Sequence, residues 1–129
     1  MSASLQALAD TLEAAFDQRD AALLAPLLAA DVRWGSEEET PETCHSDREV
    51  LAWYERLRAE GAGAQVEEVV VRERAVVLGL LVSMPGQAPE RDLTRIWQTF
   101  AVADGLVVEI RGYPERDEAL AFADGRPTA

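Results

Sequence analysis

Trp97-Gln98-Thr99-Phe100-Ala101-Val102-Ala103-Asp104-Gly105-Leu106-Val107-Val108-Glu109-Ile110-Arg111 is the stretch that decides how this chain folds. Two apolar runs flank Asp104 and Gly105, residues that tolerate the positive φ a tight hairpin turn demands. The runs, extended to residues 92–102 and 106–113, therefore pair as antiparallel strands. A bulge near the turn would shift the register of the second run, which leaves open the faces taken by Val107 and Ile110. Upstream, residues 65–72 and 75–84 share the same Val-rich strand character, with 85–89 as a proline-bounded loop. Val69, Val70 and Val71 are consecutive, as are Val76, Val77 and Leu78, so both faces of the sheet need cover. Helices supply it on one face, and a subunit partner is expected to supply it on the other.

The first half of the chain reads as helical. Leu5, Leu8, Leu12, Ala15 and Phe16 recur at helix spacing behind a Ser2 or Ser4 cap. Asp20 can cap a shorter helix carrying Leu23, Leu24, Leu27 and Leu28, although Pro26 forces it to start late or kink. Residues 32–34 read as a short strand, and 35–44, with Glu37, Glu38, Glu39 and Pro41, as a surface loop. Ser46 and Glu49 have capping-box spacing: the hydroxyl accepts the N–H three residues on, and the carboxylate reaches back to the cap's own N–H. The helix they open presents Val50, Trp53, Tyr54 and Leu57 and stops at Gly61. Pro114 opens a short closing helix through Ala119, Leu120 and Phe122, ended by Gly125. Helices followed by strands, with no βα alternation, give an α+β fold in one domain spanning 1–129.

Composition narrows the partners. A chain of 129 residues, 48% of them hydrophobic, buries a core without staples. Its basic residues are 12 arginines and no lysine, set against 24 acidic residues, and the net charge of −12 repels nucleic-acid phosphates and anionic lipid alike. No apolar run approaches the length of about 18 residues that spans a bilayer, and the first residues lack the pattern of a signal peptide. Cys44 has no second cysteine to pair with, and one Cys with His45 is too few soft ligands for structural zinc. The adjacent carboxylates of Glu37 to Glu39 lack the spaced oxygens of a calcium loop. A cytoplasmic protein without metal or cofactor is the expectation.

The order of helix, helix, short strand, helix and long antiparallel strands resembles the NTF2-like superfamily, which includes SnoaL-type polyketide cyclases, ketosteroid isomerases and limonene epoxide hydrolases. The quoted run, continued to Tyr113, Arg116 and Ala119, carries most of that likeness. Val32-Arg33-Trp34-Gly35, with Cys44 ahead of the next helix, is similar to a bacterial SnoaL-like subgroup. The resemblance implies an NTF2-like, cystatin-like cone: a curved antiparallel sheet wrapped around N-terminal helices, open at one end to a small apolar molecule. It also implies a homodimer through the outer sheet face. It does not imply one chemistry. Neither the Tyr, acid and Asp set of the isomerases nor the Asp-Arg-Asp cluster of the epoxide hydrolases falls in register on these residues.

Candidate site residues follow from side-chain chemistry. His45, the chain's one imidazole, is with Asp47 the candidate acid or base. Its other reading is a residue before the cap that packs on Val50 or faces solvent, and Asp47 and Glu49 equally suit a helix N-terminus. Cys44 is a nucleophile if the helix end lowers its pKa, or a small buried thiol. Trp34, Trp53, Tyr54 and Trp97 line a pocket for flat ligands or fill a core. Arg95 shares a face with Trp97 and Thr99 and would hold a carboxylate or enolate oxygen if that face is concave. Tyr113 joins this lining set, with Gln98 and Arg111 as alternatives. Two functions stay open: a pocket binding a small apolar or aromatic metabolite, with isomerase-, cyclase- or hydrolase-type catalysis, and a non-catalytic binding or dimerisation module whose hollow is filled by tryptophan.

Overall fold

The computed structural model describes residues 2–35, 38–83 and 94–125, leaving the expected 85–89 loop, Glu37 and the Ser2 and Ser4 side chains outside. In chain order come α1 (Ser2–Asp17), two 3-10 turns (Ala21–Leu23 and Ala25–Leu27), β1 (Leu28–Trp34), α2 (Asp47–Ala59), β2 (Gly63–Val71), β3 (Ala75–Ser83), β4 (Thr94–Ala103), β5 (Leu106–Tyr113) and α3 (Arg116–Ala123). The strands form one curved, unclosed sheet in the order β1-β5-β4-β3-β2. β2 to β5 are an antiparallel meander. β1 adds to the margin of β5 in parallel, the one departure from the expected antiparallel sheet.

The second expected helix is absent, and proline is the reason. Asp20 caps as anticipated, its carboxylate accepting the Ala22 N–H at 3.0 Å, but only a 3-10 turn follows. Pro26 opens a second such turn; lacking an N–H and crowding the preceding carbonyl, it cannot continue a helix. Leu28 then starts β1 instead of ending a helix, so that strand is longer than residues 32–34. At Ser46 the cap forms, with Oγ accepting the Glu49 N–H at 3.2 Å. The Glu49 carboxylate reaches one residue further back than the capping box anticipates and takes the His45 N–H at 2.9 Å.

Asp104 and Gly105 both sit at positive φ, 53° and 80°, and close the β4–β5 hairpin. A bulge follows the turn: Val102 faces Val107 while Ala101 faces Glu109, which makes Val108 the extra residue. Strict alternation would send Val107 and Ile110 to opposite faces. The bulge sends both into the same core, where neither has any solvent exposure.

Two cores result. On the inner face Val76, Leu78, Leu80, Phe100, Val107 and Ile110 meet Leu8, Leu12 and Ala15 of α1 and Val50 of α2. On the outer face Ala75, Val77, Trp97 and Tyr113 lie with Ala119, Phe122 and Ala123 of α3. Thr99 Oγ1 donates to the Ala119 carbonyl at 3.1 Å, tying α3 to β4. The Trp97 indole lies on Gly79, where a Cβ would approach it to 2.4 Å. The chain's own third helix therefore covers part of the outer face, the face on which a subunit partner was expected. Among the described residues no helix is long and apolar enough to cross a membrane.

Candidate functional site

Between α1, α2 and the inner sheet face lies a cavity of about 220 Å³. Its origin is a mismatch of side-chain sizes. Ala15, Ala21, Ala62, Gly63 and Ala64 contribute almost nothing to filling it, and the larger Phe16, Trp34, Tyr54, Leu80, Val82 and Ile96 form walls rather than a plug. The hollow is open to solvent on one side, a cleft rather than a sealed void.

Tyr54, carried inward by α2, organises the floor. Its ring stacks on Trp34 at 4.6 Å between centroids and meets Phe16 edge-on at 5.6 Å. Its hydroxyl donates to Gln98 Oε1 at 3.1 Å. Burial, and secondarily the neighbouring Cys44, push the phenol far above its ordinary pKa, which keeps it neutral and makes it a hydrogen-bond donor rather than a base. With the Gln98 oxygen engaged, its Nε2 hydrogens remain for a guest. The other polar lining groups are Arg19 and Arg58, both exposed, which places them at the mouth. No Asp or Glu lies among the described lining residues.

Of the residues singled out from the sequence, Trp34 and Tyr54 are in the wall. Trp53 lies behind it, edge-on to Trp34 at 6.3 Å and under the Arg56 guanidinium at 4.7 Å. Cys44 is buried beside Trp34, joined to it by paired backbone hydrogen bonds of 2.9 and 3.0 Å. Burial and then the charge of Glu49 push its thiol up, away from the nucleophilic thiolate. His45 is 55% exposed, its Nε2 at 2.6 Å from the Glu39 carboxylate, and it is not part of the lining. Asp47 accepts the Arg48 N–H at 2.8 Å in the first turn of α2. Among the described residues no cluster of three or more His, Cys, Asp or Glu side chains is arranged to hold a metal ion.

Arg95, Trp97 and Tyr113 belong to the outer face. Arg95 pairs with Glu67 at 2.9 Å, Trp97 packs on Gly79 with Arg116 above its ring at 5.8 Å, and Tyr113 lies against Phe122 at 6.1 Å. Arg111 is there too, over the Phe122 ring at 4.3 Å. Strand alternation groups Arg95, Trp97 and Thr99 as expected, but that group faces α3, and Gln98 with Ile96 faces the cavity. Arg19 and Arg58 escaped notice in the sequence. The signal for Arg19 was its spacing, three and four residues after Phe16 and Ala15 on the helix face that became the cavity wall.

Among solved structures, the chain is similar to an NTF2-like protein of unknown function from Mesorhizobium loti, with 18% identity over 87% of this chain and 91% of that one and a TM-score of 0.71. It is also similar to a ketosteroid isomerase-like protein from Kribbella flavida, with 18% identity over 86% and 77% and a TM-score of 0.68. A computationally designed 17-OHP binder shares the fold, with 16% identity over 88% and 92% and a TM-score of 0.63. No curated protein matches the chain in sequence. The family model of the SnoaL-like domain matches residues 9–110, and the chain belongs to that family, with the NTF2-like fold.

Proposed function

We propose that this protein binds a small, largely apolar, ring-bearing molecule in the cavity, and that Tyr54 and Gln98 hold one polar atom of the guest. The observation that carries this reading is the hollow itself: aromatic walls from Phe16, Trp34 and Tyr54 around an inward-facing hydroxyl and amide. Apolar pockets with a few placed polar groups are the usual form of small-molecule sites. A structural neighbour designed to bind 17-OHP supports the capacity of this fold for such a guest. The alternative of a hollow plugged by tryptophan has less support, because neither Trp53 nor Trp97 lines the cavity.

Binding is favoured over acid-base turnover by His45 and Asp47, since neither reaches the lining. With the Tyr54 proton directed to Gln98 Oε1, Gln98 Nε2 instead supplies a neutral donor able to polarise a carbonyl oxygen. A second copy of the chain docking on what α3 leaves open of the outer face is consistent with the half-buried Val70, Trp97 and Phe122 there. The single buried Cys44 suits a reducing cytoplasm.

The test is a titration with 2-naphthol followed by tryptophan emission, which Trp34 makes sensitive to occupancy. A saturable change is expected, and Val82→Phe, which grows a side chain into the hollow, should abolish it with the fold intact by circular dichroism. No saturable response from the wild-type chain, or one indifferent to Val82→Phe, overturns the proposal.

A further inference from the structure

The mouth of the cavity says more about the guest than the floor does. The chain carries 24 acidic residues against 12 basic ones, yet among the described residues the cavity lining contains two arginines and no carboxylate. A surface so acidic repels anions generally, so a cationic rim on an apolar hollow is a local reversal of field. Of the neighbouring acids, Asp20 is turned to the Ala22 N–H at 3.0 Å, and Glu55 makes a loose, exposed 3.7 Å contact with Arg58 itself. Among the described residues the Arg19 guanidinium has no hydrogen bond or ion pair to any acceptor, although it presents five N–H donors.

Arg19 is also held at a cost. It follows α1 in the left-handed conformation, φ 53°, with its own N–H donating to the Phe16 carbonyl and the Asp20 N–H to that of Ala15. This helix-ending motif ordinarily places glycine where Arg19 stands, because any Cβ is strained there. The Arg19 guanidinium in turn occupies the space above Gly63, where an added Cβ would lie 2.8 Å from Nη2. A strained arginine and a side-chain-free residue beneath it fix one cation at the lip of the hollow. Strain kept at a concave site points to use.

We infer that the guest is a ring-bearing carboxylic acid whose carboxylate is held by Arg19 and Arg58 at the mouth, with an oxo or hydroxyl oxygen at the far end reaching Tyr54 and Gln98. The inference rests on the pocket reading above and adds the charge and the polarity of the guest along its length. Guanidinium and carboxylate form charge-assisted, directional hydrogen bonds, and the water-poor wall behind them strengthens the attraction.

The experiment compares naphthalene-2-acetate with its uncharged amide, naphthalene-2-acetamide, by calorimetry and tryptophan emission on the wild-type chain, Arg19→Gly and Arg58→Gln. The carboxylate should bind the wild-type chain roughly tenfold tighter than the amide, the scale of a charged hydrogen bond. Each substitution should narrow that gap, leave amide affinity unchanged, and added salt should narrow it further in the wild type. Arg19→Gly should also raise the thermal midpoint by relieving the left-handed strain, so lost carboxylate affinity there is not lost folding. Equal binding of acid and amide while 2-naphthol still binds overturns the anionic guest and leaves the pocket standing. A preference that survives both substitutions overturns the assignment to this arginine pair. Failure of all three probes overturns the pocket and this inference together.

Discussion

On β4, Ile96, Gln98 and Phe100 turn toward α1 and α2, while Trp97 and Thr99 turn toward α3. The same strand thus serves two packing problems with opposite solutions. On the outer face a large ring is laid on a residue without a side chain, Trp97 on Gly79, and the fit leaves no room. On the inner face small residues from α1 and the start of β2 confront one another, and the space between them stays open. One strand can close a core and wall a cavity at once, because period-two alternation makes the choices at neighbouring positions independent.

The largest expected effect tests the depth of the inner core. Phe100 is fully buried there, and Phe100→Ala should cost about 3–5 kcal/mol in urea unfolding. A cost nearer that of a surface change would mean the inner face is looser than its burial implies. Next comes the tight contact on the outer face: Gly79→Ala should cost about 1–3 kcal/mol by overpacking. Pairing it with Trp97→Leu should recover part of that loss, and a purely additive double variant would dissociate the two positions. Tyr54→Phe is milder, about 1 kcal/mol, since it strands the Gln98 carbonyl without opening a void. It should weaken 2-naphthol more than it weakens the fold.

The smallest effect concerns the outer rim, where Arg116 donates two hydrogen bonds of 3.0 Å to Glu68. Those bonds and the guanidinium charge hold the Glu68 carboxyl below its ordinary pKa. A depressed carboxylate contributes stability above its unfolded pKa and loses it as pH falls through the folded one. Wild type and Arg116→Ala should therefore differ slightly at neutral pH and converge in acid. Solvent screening keeps the difference small, and a gap that widened on acidification would reverse the assigned cause.

Much of this architecture was legible before any coordinates. Asp104-Gly105 announced its hairpin, and Ser46 its helix, because both signals act over a few residues of chain. Pro26 announced a disruption, but not that the disruption would hand Leu28 to a strand, since that depends on the partner β5. The grouping of Arg95 with Trp97 was readable, whereas the choice of face was not: alternation supplies parity and no sign. Only the docking of α3 over β3, β4 and β5 settles it. The cavity was least readable of all, because it arises from what Ala15, Ala62, Gly63 and Ala64 leave unfilled across elements far apart in sequence.

Trp34 is fastened to Cys44 by two backbone hydrogen bonds, and the residues just before Cys44 fold on themselves, with Thr43 Oγ1 accepting the Thr40 N–H at 3.0 Å. The stacked pair at the back of the hollow thus joins a ring borne by β1 to a ring borne by α2, with this short connection as the splice between them. Redrafting residues 40–43 would slide one ring across the other and retune the width of the chamber without altering a single wall residue. The shape of the hollow thus has a remote adjusting screw, and it lies in a loop whose composition alone looks expendable.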